Sequence, residues 1–274
     1  MKGGKTSALL AHSGRYIANG ARVPPDSYLS PLLSPPALDL NAHALFLDLD
    51  GTLVEFAAHP EQVIASDDLR ALLATLARRM NGAVALITGR SIASADAVLD
   101  GVLVNVAGVH GLEHRGVGEG APAARDMRAI VAAYHQAQDM IGTGALAAML
   151  ENKGAAFALH YRANPGARDA VRAAAAGIAE RHALSIVEGN MVVELKLGER
   201  TKGDAVRDFM RAGPFVGRTP VAIGDDITDE DAFAAVRALD GIAVVVGERR
   251  PTAADFSLAD TNAVFAWLRA GVEQ

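Results

Sequence analysis

From residue 43 onward, short unbroken apolar runs alternate with helix-period segments: HALFLDL, SDDLRALLATLARRM, GAVALIT, SIASADAVLDG and VLVNVAG follow one another directly. An apolar run without polar alternation has no face to offer to water, so it fits a strand buried on both sides of a parallel sheet. Strands of that kind alternating with helices are the pattern of an α/β fold. The same pattern returns near the other end of the chain in KGDAVRDFMRA, PVAIGDD, ITDEDAFAAVRAL and IAVVVG, before a last helical stretch, TNAVFAWLRAG. One sheet is therefore expected to be built from both ends of the chain.

Between residues 117 and 195 the pattern differs. A helix-like ARDMRAIVAAYHQAQDM precedes two strand-like runs, LAAML and GAAFALHYR, and a second helix-like GARDAVRAAAAGIAERH precedes LSIVEG and MVVELKL. The links ENKG and EGN are short, which predicts antiparallel pairing. This is a helix-strand-strand unit repeated twice, expected as a small domain inserted into the larger one. Residues 1–40 carry several glycines and prolines without a sustained period and are expected to form a tail or loosely docked arm.

Composition narrows the function classes. Half of the 274 residues are hydrophobic, ample for a packed core, and the formal net charge of −6, with no polybasic run, disfavours a nucleic-acid partner. The absence of cysteine excludes disulfides and thiolate metal sites and suits a reducing compartment. The N-terminal segment has only the short apolar stretch ALLA, and no segment approaches the roughly 20 apolar residues of a membrane span. A cytoplasmic location without membrane attachment is the expectation, and no protein partner is evident. Forty residues before the first strand are too few for a second catalytic domain, so the chain is expected to act without a fused partner enzyme.

The chemistry concentrates at strand ends. Asp48 and Asp50 in DLDGTL follow the first apolar run. Taken alone, such a pair reads equally well as a solvent-facing turn. However, ligands of open parallel sheets bind beyond the carboxyl ends of the strands. There, GAVALIT delivers Thr88, Gly89 and Arg90, and PVAIGDD delivers Asp225 and Asp226, followed by Asp229. Asp48, Asp50 and Asp225 in one small space cannot all stay ionised unaided. A divalent cation relieves that repulsion, and an all-oxygen donor set favours a hard ion such as Mg²⁺, which commonly also holds a substrate phosphate. Lys202, ahead of a helical segment, supplies the positive charge a phosphate also requires.

These motifs, DLDGT, a strand-end Thr88, Lys202 and the acidic GDDITDE, occur in the order seen in the haloacid dehalogenase (HAD) superfamily of phosphatases, which the chain resembles from about 43 to 270. The resemblance implies a Rossmann-like parallel-sheet HAD core over 41–116 and 196–274, with an inserted α+β cap domain over 117–195. It implies Asp48 as the nucleophile that forms an aspartyl-phosphate and Asp50 as general acid and then base. It also implies that Thr88, Gly89 and Lys202 hold the phosphate, and that Asp48, the carbonyl of Asp50 and Asp225 bind Mg²⁺ with Asp229 orienting that shell.

Narrower motifs, LITGRS, AGVHGLEHR, ENKG with ALHYR, VELK and GDDITDE, resemble the trehalose-6-phosphate phosphatases within that superfamily. This implies a small-molecule substrate, trehalose 6-phosphate, hydrolysed to trehalose and phosphate. Glu151, Lys153, Arg162 and Glu194 would contact the sugar, with Arg90 and His110 lining the gap between core and cap. Read from the residues alone, these positions keep ordinary alternatives. Glu151 and Lys153 fit an exposed hairpin turn, His110 a turn between glycines, Arg162 with Glu194 a surface ion pair, and Thr228 to Asp231 a helix cap. Two rival functions also stand: another sugar-phosphate phosphatase, such as one acting on sucrose phosphate, and a non-catalytic sugar-phosphate binding module. A dinucleotide-binding domain is disfavoured, because DLDGTL stands where GxGxxG would follow the first strand.

Overall fold

The computed structural model describes residues 32–57, 62–118, 127–189 and 191–274. Among these, seven strands form one sheet in the order β11-β10-β9-β1-β2-β3-β4. They are β1 (His43–Leu47), β2 (Val84–Ile87), β3 (Asn105–Gly108), β4 (Glu113–Arg115), β9 (Thr219–Gly224), β10 (Ile242–Val246) and β11 (Phe256–Leu258). All neighbours pair parallel except β3 with β4. The chain's two ends meet at the centre, where Leu45 of β1 registers with Val84 of β2 on one side and Val221 of β9 on the other. β1 and β9 thus end side by side, which brings Asp48 and Asp225 to one rim.

The inner strands β1, β2, β3, β9 and β10 are buried on both faces, as their apolar runs require. Helix α1 (Asp67–Arg79) is capped by Ser66, whose side chain accepts from Leu69 N, and buries Leu69, Leu72, Leu73 and Leu76, one stripe at helical spacing. The other core helices are α2 (Ile92–Leu99), α5 (Lys202–Met210), α6 (Glu230–Arg237) and α7 (Thr261–Glu273). Phe46 of β1 stacks on Phe215 at 5.4 Å between ring centres, and Phe209 of α5 completes the cluster.

The second sheet is antiparallel throughout, in the order β5-β6-β8-β7. Its strands are β5 (Met149–Asn152), β6 (Ala156–His160), β7 (Ser185–Gly189) and β8 (Val192–Lys196), and α3 (Arg128–Gly142) and α4 (Arg168–His182) pack on it. Side chains alternate across a strand. Phe157, Leu159, Val193 and Leu195 therefore join Ile130, Ala133, Val171 and Ile178 of the helices in a core of their own. The intervening residues of the same strands face the other way. In register they form a row, Glu151, Ala158, Glu194 and Val187, in which the small Ala158 separates two carboxylates.

Two edge strands lay beyond the periodic signals: Glu113–Arg115 has no apolar run, and Phe256–Leu258 is very short. The N-terminal arm lies outside the described residues as far as 31. Its last part, 32–40, is docked: Leu33 bridges Phe256, Leu38 is 2 % exposed against Gly271, and Trp267 Nε1 donates to the Pro36 carbonyl at 2.9 Å. A proline-rich segment needs no period to dock when scattered leucines find apolar sites. Leu38→Ala is expected to destabilise the protein by about 2 kcal/mol in urea denaturation; an unchanged midpoint would show that the docking contributes nothing.

Candidate active site

Asp48 and Asp225 each stand one residue past a central strand, and the Asp48 N–H donates to the Ile223 carbonyl at 3.0 Å, which ties the two strand ends together. Asp229 is 2 % exposed and lies in the short turn that leads into α6. One carboxylate oxygen from each of Asp48, Asp225 and Asp229 lies within 4.8 Å of the other two. Lys202, first residue of α5, is fixed by a capping box between Thr201 and Asp204. Its ammonium donates to Asp48 Oδ1 at 2.7 Å and Asp229 Oδ1 at 2.8 Å. Gly51, at φ +81°, takes a turn that brings the backbone against Asp225, where a Cβ would collide with the carboxylate.

The charges in this cluster do not balance. Burial, then the neighbouring Asp229 and Asp225, hold the Asp48 carboxyl well above the usual range despite the opposing pull of Lys202. Burial and Asp229 push Asp225 up to about 7. The Lys202 ammonium is raised, because Asp229 and Asp48 outweigh its burial. One ammonium against three carboxylates leaves the site short of positive charge. An all-oxygen donor set of this kind fits a hard divalent cation.

Arg90 holds the second aspartate of the motif. Its Nε donates to Asp50 Oδ2 and its Nη2 to Asp50 Oδ1, both at 2.7 Å, a two-pronged pairing. The Asp50 side chain therefore stands apart from the three-carboxylate cluster, and the metal contact expected of this residue concerns its carbonyl. Arg90 remains charged, since Asp50 outweighs the cost of burial. The loop Thr88–Gly89–Arg90 is stitched to the turn after β3: Val109 N donates to the Arg90 carbonyl at 2.8 Å and His110 N to the Thr88 carbonyl at 3.0 Å. Both Val109 (φ +47°) and His110 (φ +53°) adopt left-handed backbone, which is costly for a β-branched residue and is sustained here by those bonds. The result places the His110 ring directly over Gly89, where a Cβ would sit 2.8 Å from the ring.

The polar row of the second sheet faces this loop. Lys153 Nζ donates to Glu194 Oε2 at 2.7 Å and lies 4.0 Å from Glu151. His110 Nε2 is 3.4 Å from Glu194 Oε1, an ion-pair distance without hydrogen-bond geometry. Burial raises the Glu194 carboxyl, but Lys153 and His110 outweigh it and lower it to about 2. Glu151 is lowered too, because a 2.8 Å bond from His160 Nε2 and the charge of Lys153 overcome burial. Glu194 Oε1 and His110 Nδ1 are buried side-chain atoms with no hydrogen-bond partner among the described residues. Groups of this kind are costly to leave unpaired and are suited to bonding a ligand.

Asp48, Asp50, Thr88, Gly89, Arg90, His110, Glu151, Lys153, Arg162, Glu194 and Lys202 all line one cleft of about 210 Å³. Asp225 and Asp229 stand behind Asp48. Three features of the cleft escaped the sequence reading. The Arg90–Asp50 pairing joins positions too far apart in the chain for spacing to link them. His160 lies on the same strand face as Ala158, so alternation placed it beside the acidic row without marking a role. Phe56 lines the mouth with no motif to announce it.

The family model described as "Trehalose-phosphatase" matches residues 46–262. Trehalose-6-phosphate phosphatase of Escherichia coli (strain K12) is 39% identical over 250 residues, covering 87% of this chain and 89% of the relative. A probable trehalose-phosphate phosphatase of Sinorhizobium fredii is 37% identical over 225 residues, covering 80% and 83%. Among solved structures, a trehalose-6-phosphate phosphatase related protein superposes with a TM-score of 0.64 at 25% identity, covering 82% of this chain and 95% of that one. A Bacteroides thetaiotaomicron phosphatase of the HAD superfamily shares the fold, with a TM-score of 0.51 at 16% identity, covering 87% and 98%.

The lowered carboxyl of Glu194 sets a pH dependence. A folded value of about 2, below the 4.5 of a free glutamate, means that its pairing stabilises the protein fully above pH 4.5 and is lost as pH falls toward 2. Between pH 6 and 3.5 the wild type should lose about 1 kcal/mol more stability than Glu194→Gln in urea denaturation. Parallel profiles would show that Glu194 is not held ionised by Lys153.

Proposed function

The chain belongs to the trehalose-phosphatase family, and we propose that it hydrolyses trehalose 6-phosphate to trehalose and inorganic phosphate. One observation carries this reading. A single cleft joins a buried Asp48–Lys202 pair, suited to phosphoryl transfer, to a row of Glu151, Lys153 and Glu194 suited to sugar hydroxyls. An ionised glutamate only accepts hydrogen bonds, and a disaccharide offers many hydroxyl donors. A polar site of this kind rejects analogues that leave its buried groups unpaired.

In the proposed reaction an Asp48 carboxylate oxygen attacks phosphorus, and the bond from phosphorus to the sugar oxygen breaks. Asp50 gives its proton to that departing oxygen. Asp50 then takes a proton from water, whose oxygen attacks phosphorus and releases phosphate from Asp48. Thr88, Gly89 and Lys202 hold phosphate oxygens through both steps. Arg90 holds Asp50 by both oxygens, so proton delivery requires that grip to loosen as substrate enters. The carboxylates of Asp48, Asp225 and Asp229 and the carbonyl of Asp50 are the groups that would hold Mg²⁺. When bound, that ion neutralises charge on the phosphate. Residues 117–195 act as a cap that shields the reaction from bulk water, with Arg162 and His110 at the sugar and the core-cap gap.

We place the protein in the cytoplasm, acting on a soluble metabolite without nucleic acid, membrane or protein partner. No helix among the described residues is long and apolar enough to cross a membrane.

Phosphate release from trehalose 6-phosphate should exceed that from sucrose phosphate and hexose phosphates; equal or faster release from another ester would refute the substrate assignment. Asp48→Asn should lower turnover by on the order of 10⁴-fold or more, because a carboxamide is no nucleophile. Dialysis against a chelator should abolish phosphate release and added Mg²⁺ should restore it. Full activity in chelator would remove the metal from the reaction.

A further inference from the structure

Phe56 has no part in the chemistry above, yet it lies on the cleft. It sits in the loop beyond β1, lines the mouth together with Ala57 and Val63, and is 47% exposed. Its ring faces Arg162, which stands just past β6 on the second sheet, with the guanidinium carbon 5.8 Å from the ring centre. That is within cation–π range, and the contact spans the cleft from the large sheet's loop to the small one.

The cleft lining is chemically mixed: Glu151, Lys153 and Glu194 supply acceptors and donors, while Phe56, Ala57 and Val63, together with Met149, Val187 and Val192, supply apolar surface. A pyranose has matching sides: hydroxyls around its rim, and C–H groups on its faces that suit the electron-rich face of an aromatic ring. Depth orders the ligand. Asp48 and Lys202, which would meet the phosphate, are 6% and 2% exposed, whereas Phe56 is 47% exposed, so a ligand with its phosphate at Asp48 would meet Phe56 with its outer part.

We propose that Phe56 is a specificity-determining residue: its ring, steadied by Arg162, is the surface on which the sugar ring without the phosphate packs, selecting a disaccharide monophosphate over a monosaccharide phosphate. This rests on the sugar-phosphate reading of the cleft. It assigns Phe56 to binding only, so its loss acts through KM and leaves the rate on a minimal ester to Asp48 and Asp50.

The test measures kcat and KM of the full chain with Mg²⁺ on trehalose 6-phosphate, glucose 6-phosphate and p-nitrophenyl phosphate, for wild type, Phe56→Ala and Phe56→Tyr. Phe56→Ala should lower kcat/KM on trehalose 6-phosphate by about tenfold, mainly through KM, and change the two smaller esters less than twofold. Phe56→Tyr, which keeps the ring, should retain at least half of the wild-type value on all three. An equal fall on all three esters with Phe56→Ala, no fall on trehalose 6-phosphate, or a Tyr variant as impaired as the Ala variant would overturn the proposal. A wild-type chain that hydrolyses p-nitrophenyl phosphate but not trehalose 6-phosphate would overturn the underlying substrate assignment, and this proposal with it.

Discussion

Three carboxylates, those of Asp48, Asp225 and Asp229, converge at the end of a buried sheet where a single ammonium, Lys202, answers them. Most of the molecule serves to keep that arrangement in place. The central strands β1 and β9 are buried on both faces so that their ends fall side by side, and the aspartates after them meet without a choice of register. Gly51 allows the backbone to approach Asp225. The capping box at the start of α5 fixes Lys202. Burial raises the carboxyls of Asp48 and Asp225, so the cluster is at its most stable with positive charge added, and this makes it receptive to a cation and to the phosphate such a cation accompanies.

The opposite wall solves a different electrostatic problem. Glu151 and Glu194 also sit close together, but Lys153 lies between them, and His160 and His110 stand beside them, so both carboxyls are lowered. These acids remain ionised acceptors, whereas burial and neighbouring carboxylates raise Asp48 and Asp225. The same residue type is thus held in two different states within one cleft, raised at Asp48 and lowered at Glu151 and Glu194. The strained Val109–His110 turn joins the two, since its backbone bonds to the loop Thr88–Gly89–Arg90 and its ring reaches Glu194.

Much of this was legible in the sequence, because the signals were local. Unbroken runs such as ALFL and VAIG announce doubly buried strands, and DLDGT and GDDITDE sit at their ends. Strand alternation likewise separates Phe157 and Leu159 from Ala158 and His160. What could not be read depends on contacts distant in sequence. The pairing of β6 with β8 decides that Glu194 lies beside Ala158 and in line with Glu151, and no spacing encodes that register. The grip of Arg90 on Asp50 follows from β1 and β2 being neighbours. Glu113–Arg115 becomes a strand only because the edge of β3 is open to it. The docking of residues 32–40 rests on a few leucines in a segment without a period.

The central claim is that Asp48, at the focus of this cluster, carries the phosphoryl group. The most direct measurement is rapid acid quenching during turnover of trehalose 6-phosphate labelled with ³²P, followed by peptide mapping. The account predicts a transient covalent label, labile to hydroxylamine, on the peptide containing Asp48 and absent from Asp48→Asn. Label on another residue, or steady phosphate release with no covalent label at any quench time, would contradict it.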